Sequence, residues 1–215
     1  ISVDLKWHTH LSSVLKQGVW RTALLWYMAN YMPAPVIARL CLSYVRPTFE
    51  YACPVWHGQI TTTDALQLER LQAAVARKIL GAGWYTSKST LLRSLDWPAL
   101  RWRRTILSLT FLHSIIHRRN SPLLLDILPP LAAQLSTHDL RKPLQFVLPK
   151  ARTKHFLHSF IPQTCMLWNT LPADIQGIRT HNKFKLAIEQ HFVPYKFRTD
   201  CDIHKTQNSR SRSEE

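Results

Sequence analysis

Glycine is scarce in this sequence, five in 215 residues, and neither G-x-G-x-x-G nor G-x-S-x-G occurs. A backbone loop that cradles phosphate and a nucleophile elbow both need glycine at fixed spacing, so neither chemistry is expected. Cysteine is equally sparse. Cys41, Cys53, Cys165 and Cys201 stand far apart with no C-x-x-C pair, which leaves neither a disulfide framework nor a zinc site to read. A long apolar run is also missing: T-I-L-S-L-T-F-L-H-S-I-I-H is interrupted by His113 and reaches only about half of the ~20 residues a membrane span needs. That stretch reads as a buried helix, and no membrane partner is expected. The opening I-S-V-D-L-K-W has neither the basic start nor the apolar core of a signal peptide. With no Met at position 1, the expectation is a piece of a longer protein in a reducing, intracellular compartment, nuclear or cytoplasmic.

Acid is the remaining shortage. Thirteen Asp and Glu face 28 Lys and Arg, a formal charge of +15 and a pI near 10.2. Such an excess points to a polyanionic partner, nucleic acid or an acidic membrane surface. The excess is not confined to the end of the chain, because 23 of the basic and 9 of the acidic residues lie at or before Tyr195. What the chain has in quantity is apolar side chains, 46% of the total with eight Trp and eight Phe, enough to cover the core of one large domain or two small ones.

Periodicity predicts a mainly α chain. A first helix is expected over Leu11 to Tyr31, with Trp20, Leu24, Leu25 and Trp26 supplying bulk, ended by M-P-A-P. Pro35 then opens a second, in which Ile37, Leu40, Cys41, Tyr44 and Val45 recur at helical spacing. Thr61 and Asp64 have capping-box spacing ahead of a third helix with the stripe Leu68, Leu71, Val75, Ile79 and the terminator Gly81. A short helix over Ser87 to Leu95 precedes a longer one that Asp96 caps and Asn120 closes, with Leu100, Arg103, Leu107, Phe111 and Ile115 aligned. Between Pro129 and His155 no period is sustained, so a long loop with extended pieces around L-Q-F-V-L-P-K is expected. The run S-F-I-P-Q-T-C-M-L-W-N-T-L-P is broken by Pro162 and Pro172, helix returns over Thr180 to Phe192, and the chain from Lys196 onward reads as disordered.

Within Y-V-R-P-T-F-E-Y-A-C-P-V-W, Pro47 removes a backbone donor and is expected to kink the helix. Arg46 and Glu50, four residues apart, pair on one face as an exposed ion pair; Arg46 alternatively reaches a phosphate. Trp97, Trp168, Phe111 and Phe184 read as core. Trp84 and Tyr85, in the loop G-A-G-W-Y-T-S-K, are the candidates for base stacking. His8 with His10 on a strand face, or His113 with His117 on a helix, would suit a metal by spacing alone, yet neither pair has an acidic or thiol partner, so surface or core histidine is the reading.

In order along the chain, L-K-W-H-T-H (Leu5, Trp7, His10), Y-V-R-P-T-F-E-Y-A-C-P-V-W, L-E-R-L-Q-A-A-V-A-R-K-I-L-G, the spaced Leu92, Leu95, Trp97, Leu100, Arg103 and Arg104, and F-I-P-Q-T-C-M-L-W-N-T-L-P with Phe184 and Lys185 form a succession of motifs. This succession resembles the region downstream of the polymerase core in non-LTR, LINE-type retrotransposon reverse transcriptases of the jockey and CR1 kind. It covers roughly Leu5 to Phe192. Two departures stand out: Gln163 occupies a position where the family pattern has Arg, and A-A-V-A (Ala73 to Ala76) replaces a more basic run.

The resemblance implies a palm-like end over 1–10, a helical thumb-like bundle over 11–128, an irregular, partly extended C-terminal region over 129–195 with a final helix, and a disordered tail over 196–215. It implies a non-catalytic fragment that positions an RNA template and a DNA primer beside the fingers and palm of a parent polymerase. That parent would use Mg2+, whereas this chain has no adjacent Asp-Asp to hold two ions and is expected to need no cofactor and no small-molecule substrate. The phosphate contacts expected in this setting are Arg46, Arg77, Lys78, Arg103, Arg104, Arg152 and Lys154. A solvated helix face is the plainer account of any one of them. The alternative function is a degenerate or co-opted helical protein-interaction module that binds no nucleic acid.

Overall fold

A computed structural model of the chain describes residues 7–117, 122–135, 138 and 142–198. In order, its helices are α1 (His8–Met28), α2 (Ala34–Leu40), α3 (Arg46–Glu50), α4 (Cys53–Trp56), α5 (Thr62–Leu80), α6 (Lys88–Ser94), α7 (Leu100–Ile116), α8 (Pro122–Asp126), α9 (Ala132–Leu135), α10 (Lys154–Leu157), α11 (Phe160–Asn169), α12 (Ala173–Gln176) and α13 (His181–His191). The mainly α class is as expected. Two compact units form: one from the described residues of 1–52, 60–103 and 194–215, the other from 53–59 and the described residues of 104–193.

In the first unit α5 is the central element, and its ends follow the expected signals. The Thr61 hydroxyl accepts from the Asp64 amide at 3.1 Å and donates to the Asp64 carboxylate at 2.7 Å, while Gly81 ends the helix in left-handed backbone at φ 58°. The buried face runs Ala65, Leu68, Glu69, Gln72, Ala73, Val75, Ala76. The unusual A-A-V-A run is thus core, which is why basic residues are absent there. Helix α1 lies against α5, but through Leu11, Val14, Gly18, Thr22 and Leu25. The expected bulk is misplaced: Trp20, Leu24 and Trp26 are exposed. At Gly18 a Cβ would overlap the Phe49 ring, so glycine is what lets that ring reach α1.

Pro47 is accommodated by a widened turn just ahead of it. Residues Cys41–Val45 wind as a π turn, the Arg46 amide bonding the Cys41 carbonyl five residues back, and α3 starts afresh with Pro47 in its first turn. Widening the turn avoids the clash of the pyrrolidine ring with the carbonyl four residues earlier. Beyond α3 the chain turns sharply through Ala52 in left-handed backbone, φ 48°. Phe49 and Trp56 are buried and Tyr51 is exposed.

Helix α7 starts at Leu100, later than expected, and Asp96 does not sit at its cap position. Asp96 has φ 54° and accepts from Lys196 Nζ at 2.6 Å. The start of α7 is instead held by α5: the buried Glu69 carboxylate accepts from the Arg101 amide at 3.0 Å, and Gln72 donates to the Pro98 carbonyl at 3.2 Å. A carboxylate against a helix N-terminus meets both its unsatisfied amides and its dipole. Residues expected to be disordered close this region. The Ala99 amide donates to the Lys196 carbonyl at 2.8 Å and Trp102 Nε1 to the Arg198 carbonyl at 3.0 Å; the rest of the expected tail lies outside the described residues.

In the second unit the core gathers Leu109, Leu112, Phe146, Cys165, Trp168, Leu171, Phe184 and Ile188. The buried stripe of α7 is Arg104, Thr105, Ser108, Leu109, Leu112, His113, Ser114 and Ile115; of the expected stripe only Leu100 and Ile115 are fully buried. Hydrophobicity alone rotated the face, because Ser108 and Ser114 bond carbonyls of their own helix, at 2.9 and 2.8 Å, and so bury at little cost. The expected closure at Asn120 lies outside the described residues. Pro162 does not break α11, since it falls in the first turn where its missing N–H is harmless. The extended piece appears as an antiparallel bridge between Leu131 and Phe146. Asn169 continues it, its side-chain amide taking the Phe146 N–H at 2.8 Å and giving to the Phe146 carbonyl at 2.9 Å, as a neighbouring strand would.

Two outcomes follow. Glu69→Ala removes the acceptor for a part-buried amide and should lower stability by about 1–3 kcal/mol in urea titration. Burial pushes the thiols of Cys41 and Cys165 up to about 12 from an ordinary 9.0, Arg46 pulling back on Cys41. A raised thiol pKa stabilises the fold below the unfolded value and ceases to do so as pH rises past it. The native state should therefore lose stability from about pH 9 toward 12, and Cys41→Ala/Cys165→Ala should flatten that decline relative to the native chain.

Candidate nucleic-acid interface

The expected phosphate contacts divide by environment. Arg46 and Arg103 converge on one carboxylate: Arg46 Nε lies 3.3 Å from Glu50 Oε1, Arg103 Nη2 donates to Glu50 Oε2 at 2.9 Å, and Arg103 Nε donates to Glu50 Oε1. The three side chains are 15–25% exposed, so the pair expected to be exposed is a largely buried triad. Burial first, then Arg103, holds the Arg46 guanidinium below its ordinary range, with Glu50 and Cys41 acting in the opposite sense. Both arginines are therefore structural cations before they are anything else.

Arg104 is a correction. It has no exposed surface, its guanidinium lies 5.8 Å from the Trp56 ring centre, and its Nε faces His57 Nδ1 at 3.4 Å. A phosphate cannot reach it without opening the core. One residue earlier Arg103 is partly exposed; a single step along a helix is a turn of about 100°, which separates the two.

Arg77 and Lys78 project from the last turn of α5, just past its buried face. Arg77 lies 5.2 Å from the Trp84 ring centre and donates to the Thr86 carbonyl at 3.3 Å. Lys78 lies 5.4 Å from the Trp26 ring centre and donates to Asn30 Oδ1 at 3.0 Å. Trp84 and Tyr85 are 79% and 99% exposed, as stacking would require. Sequence reading missed their companions on α1 and just beyond it: Trp26, taken as bulk, is exposed, and Tyr27 and Tyr31, also exposed, pack ring to ring at 5.3 Å. The missed signal was a second apolar stripe on α1, at 20, 24, 27 and 31.

In the second unit Arg152 and Lys154 are exposed on either side of Thr153, which caps α10 by accepting from the Phe156 amide at 3.2 Å. Lys142, Lys150, His155 and His158 are exposed nearby in sequence, and no acid occurs between 140 and 173.

His8 and His10 fall on α1, where two residues apart means nearly opposite faces, and His113 is a core histidine, Nε2 donating to the Ile178 carbonyl at 2.7 Å with its ring stacked on Phe184. Among the described residues no three His, Cys, Asp or Glu side chains gather as a metal would need. Nor is any described helix long and apolar enough to cross a membrane.

The triad has a direct test. Glu50→Gln leaves two guanidiniums facing one another without their anion, and should lower stability by about 1–3 kcal/mol, less than the loss for a fully buried pair; the added variant Arg46→Met should restore part of it if repulsion is the cause.

Comparison of the chain with protein-family models, curated proteins and solved structures yields no match.

Proposed function

We propose that the chain is the non-catalytic C-terminal part of a LINE-type RNA-directed DNA polymerase, gripping the sugar-phosphate backbone of an RNA template and its DNA primer for chemistry carried out by upstream fingers and palm. The observation that carries the reading is the set of exposed basic residues in the acid-free stretch from Lys142 to His158: Lys142, Lys150, Arg152 and Lys154. Phosphate recognition needs cations and space, not a base-reading edge, so such a segment binds without sequence preference. The order of motifs supplies the parentage, and with it element RNA and nicked genomic DNA as partners in a nuclear or cytoplasmic setting.

In this reading Arg152 and Lys154, with Arg77 and Lys78 in the other unit, make the contacts. Arg46 and Arg103 stiffen the turn after α2 instead, and Arg104 belongs to the core. A second reading rests on the outer face of α1, where Val19, Trp20 and Leu24 are exposed: apolar surface of this kind on a helix is what a protein-interaction module presents.

One titration separates them. An RNA:DNA duplex should bind with an affinity that falls steeply between about 50 and 200 mM salt. Arg152→Ala/Lys154→Ala should weaken binding evenly across sequences and reduce the log–log salt slope by about 2. Absent or salt-insensitive binding, with concentration-dependent self-association, would establish the interaction module instead.

A further inference from the structure

We infer that the aromatic end of the first unit, where the C-termini of α1 and α5 meet the loop after Gly81, is a docking site for unpaired nucleotides, bases stacking on Trp84 and Tyr85 while Arg77 and Lys78 hold the flanking phosphates. The inference rests on the nucleic-acid reading above and adds a distinct ligand, single strand in place of duplex.

Three observations carry it. First, the rings are presented, not merely left over. The Thr86 amide bonds the Gly83 carbonyl at 3.1 Å, which places Trp84 and Tyr85 at the two corners of a closed turn, and Ser87 ties the far side down by capping α6. A Cβ built on Gly81 or Gly83 would meet nothing, and Trp84 and Tyr85 are 79% and 99% exposed, which leaves their rings open to a base. Anchored aromatic rings lose little freedom on binding, unlike rings on a mobile loop.

Second, each tryptophan here already has a cation over it, Arg77 on Trp84 and Lys78 on Trp26. Arg77 and Lys78 both lie in the last turn of α5, so the two platforms flank one helix end. A base has a π-face to offer and a phosphate a few ångströms away, and this surface answers both. A duplex would not use these rings, since duplex bases are already stacked on one another.

Third, the charge is one-sided. No Asp or Glu occurs from 5 to 49 or from 70 to 95, and Glu69, next to the second stretch, is buried. An apolar protein surface seated here would desolvate Arg77 and Lys78 with nothing in return. A polyanion supplies the missing counter-charge.

The test uses the full chain with three probes: a labelled oligo(dT) of about 12 nucleotides, a hairpin duplex of similar length, and phosphatidylserine vesicles. Trp84→Ala/Tyr85→Ala should weaken oligo(dT) binding about tenfold or more and leave the duplex nearly unchanged, while Trp84→Phe/Tyr85→Phe, which keeps the π-faces, should bind oligo(dT) almost as the native chain does. Both positions are surface sites, and circular dichroism checks the fold. Unchanged oligo(dT) binding by the alanine variant overturns the inference while leaving the duplex reading intact. Loss of vesicle binding or of self-association in its place also overturns it, assigning the rings to a lipid or protein surface. No binding of either nucleic acid overturns this inference and the duplex reading together.

Discussion

Acid is scarce in this chain, and the placement of each carboxylate decides which cations stay inside the fold and which face solvent. Glu50 draws Arg46 and Arg103 together in the partly buried turn after α2. Glu69 is buried and accepts from a backbone amide at the start of α7, completing a helix end that its own sequence leaves uncapped. Asp96, which by position would have capped that helix, is turned away in left-handed backbone and meets Lys196. A carboxylate surrounded by donors is worth most where water is excluded. With two of 13 acids committed inside the first unit, long stretches of its surface carry cations alone.

Buried arginine follows the same logic by another route. Arg104 has aromatic and imidazole neighbours, Trp56 on one side and His57 on another. A guanidinium is planar and weakly hydrated, so a ring can take the place of part of its water. Its neighbour Arg103 pairs with Glu50. The division of labour between two consecutive arginines comes from helix geometry, since their directions differ by about 100° while their chemistry is identical.

That division explains what the sequence could and could not disclose. Helix α5 was legible because local signals at both ends, Thr61 with Asp64 and then Gly81, agree with the stripe between them. The start of α7 was not, because its cap comes from a residue 32 positions earlier. Helix α1 misled for a different reason. It carries two stripes at helical spacing, and the one that packs contains Gly18 and Thr22, whose value lies in letting Phe49 and α5 approach, not in hydrophobicity. Trp84 and Tyr85 could be singled out, since flanking glycines mark a turn; that Arg77 and Lys78 would each lie over a tryptophan could not, because one tryptophan arrives from α1.

The two exposed cationic surfaces therefore differ in kind, and the difference bears on mechanism. The segment around Arg152 and Lys154 offers charge with only Phe156 as an exposed ring among its neighbours. Under the proposed function, its hold on a polymer is an exchange of counterions and weakens as salt rises, whatever the bases are doing. The surface around Trp84 offers rings with their cations already attached. Stacking depends on whether a base is free to leave its partner, so it responds to strandedness and only weakly to salt.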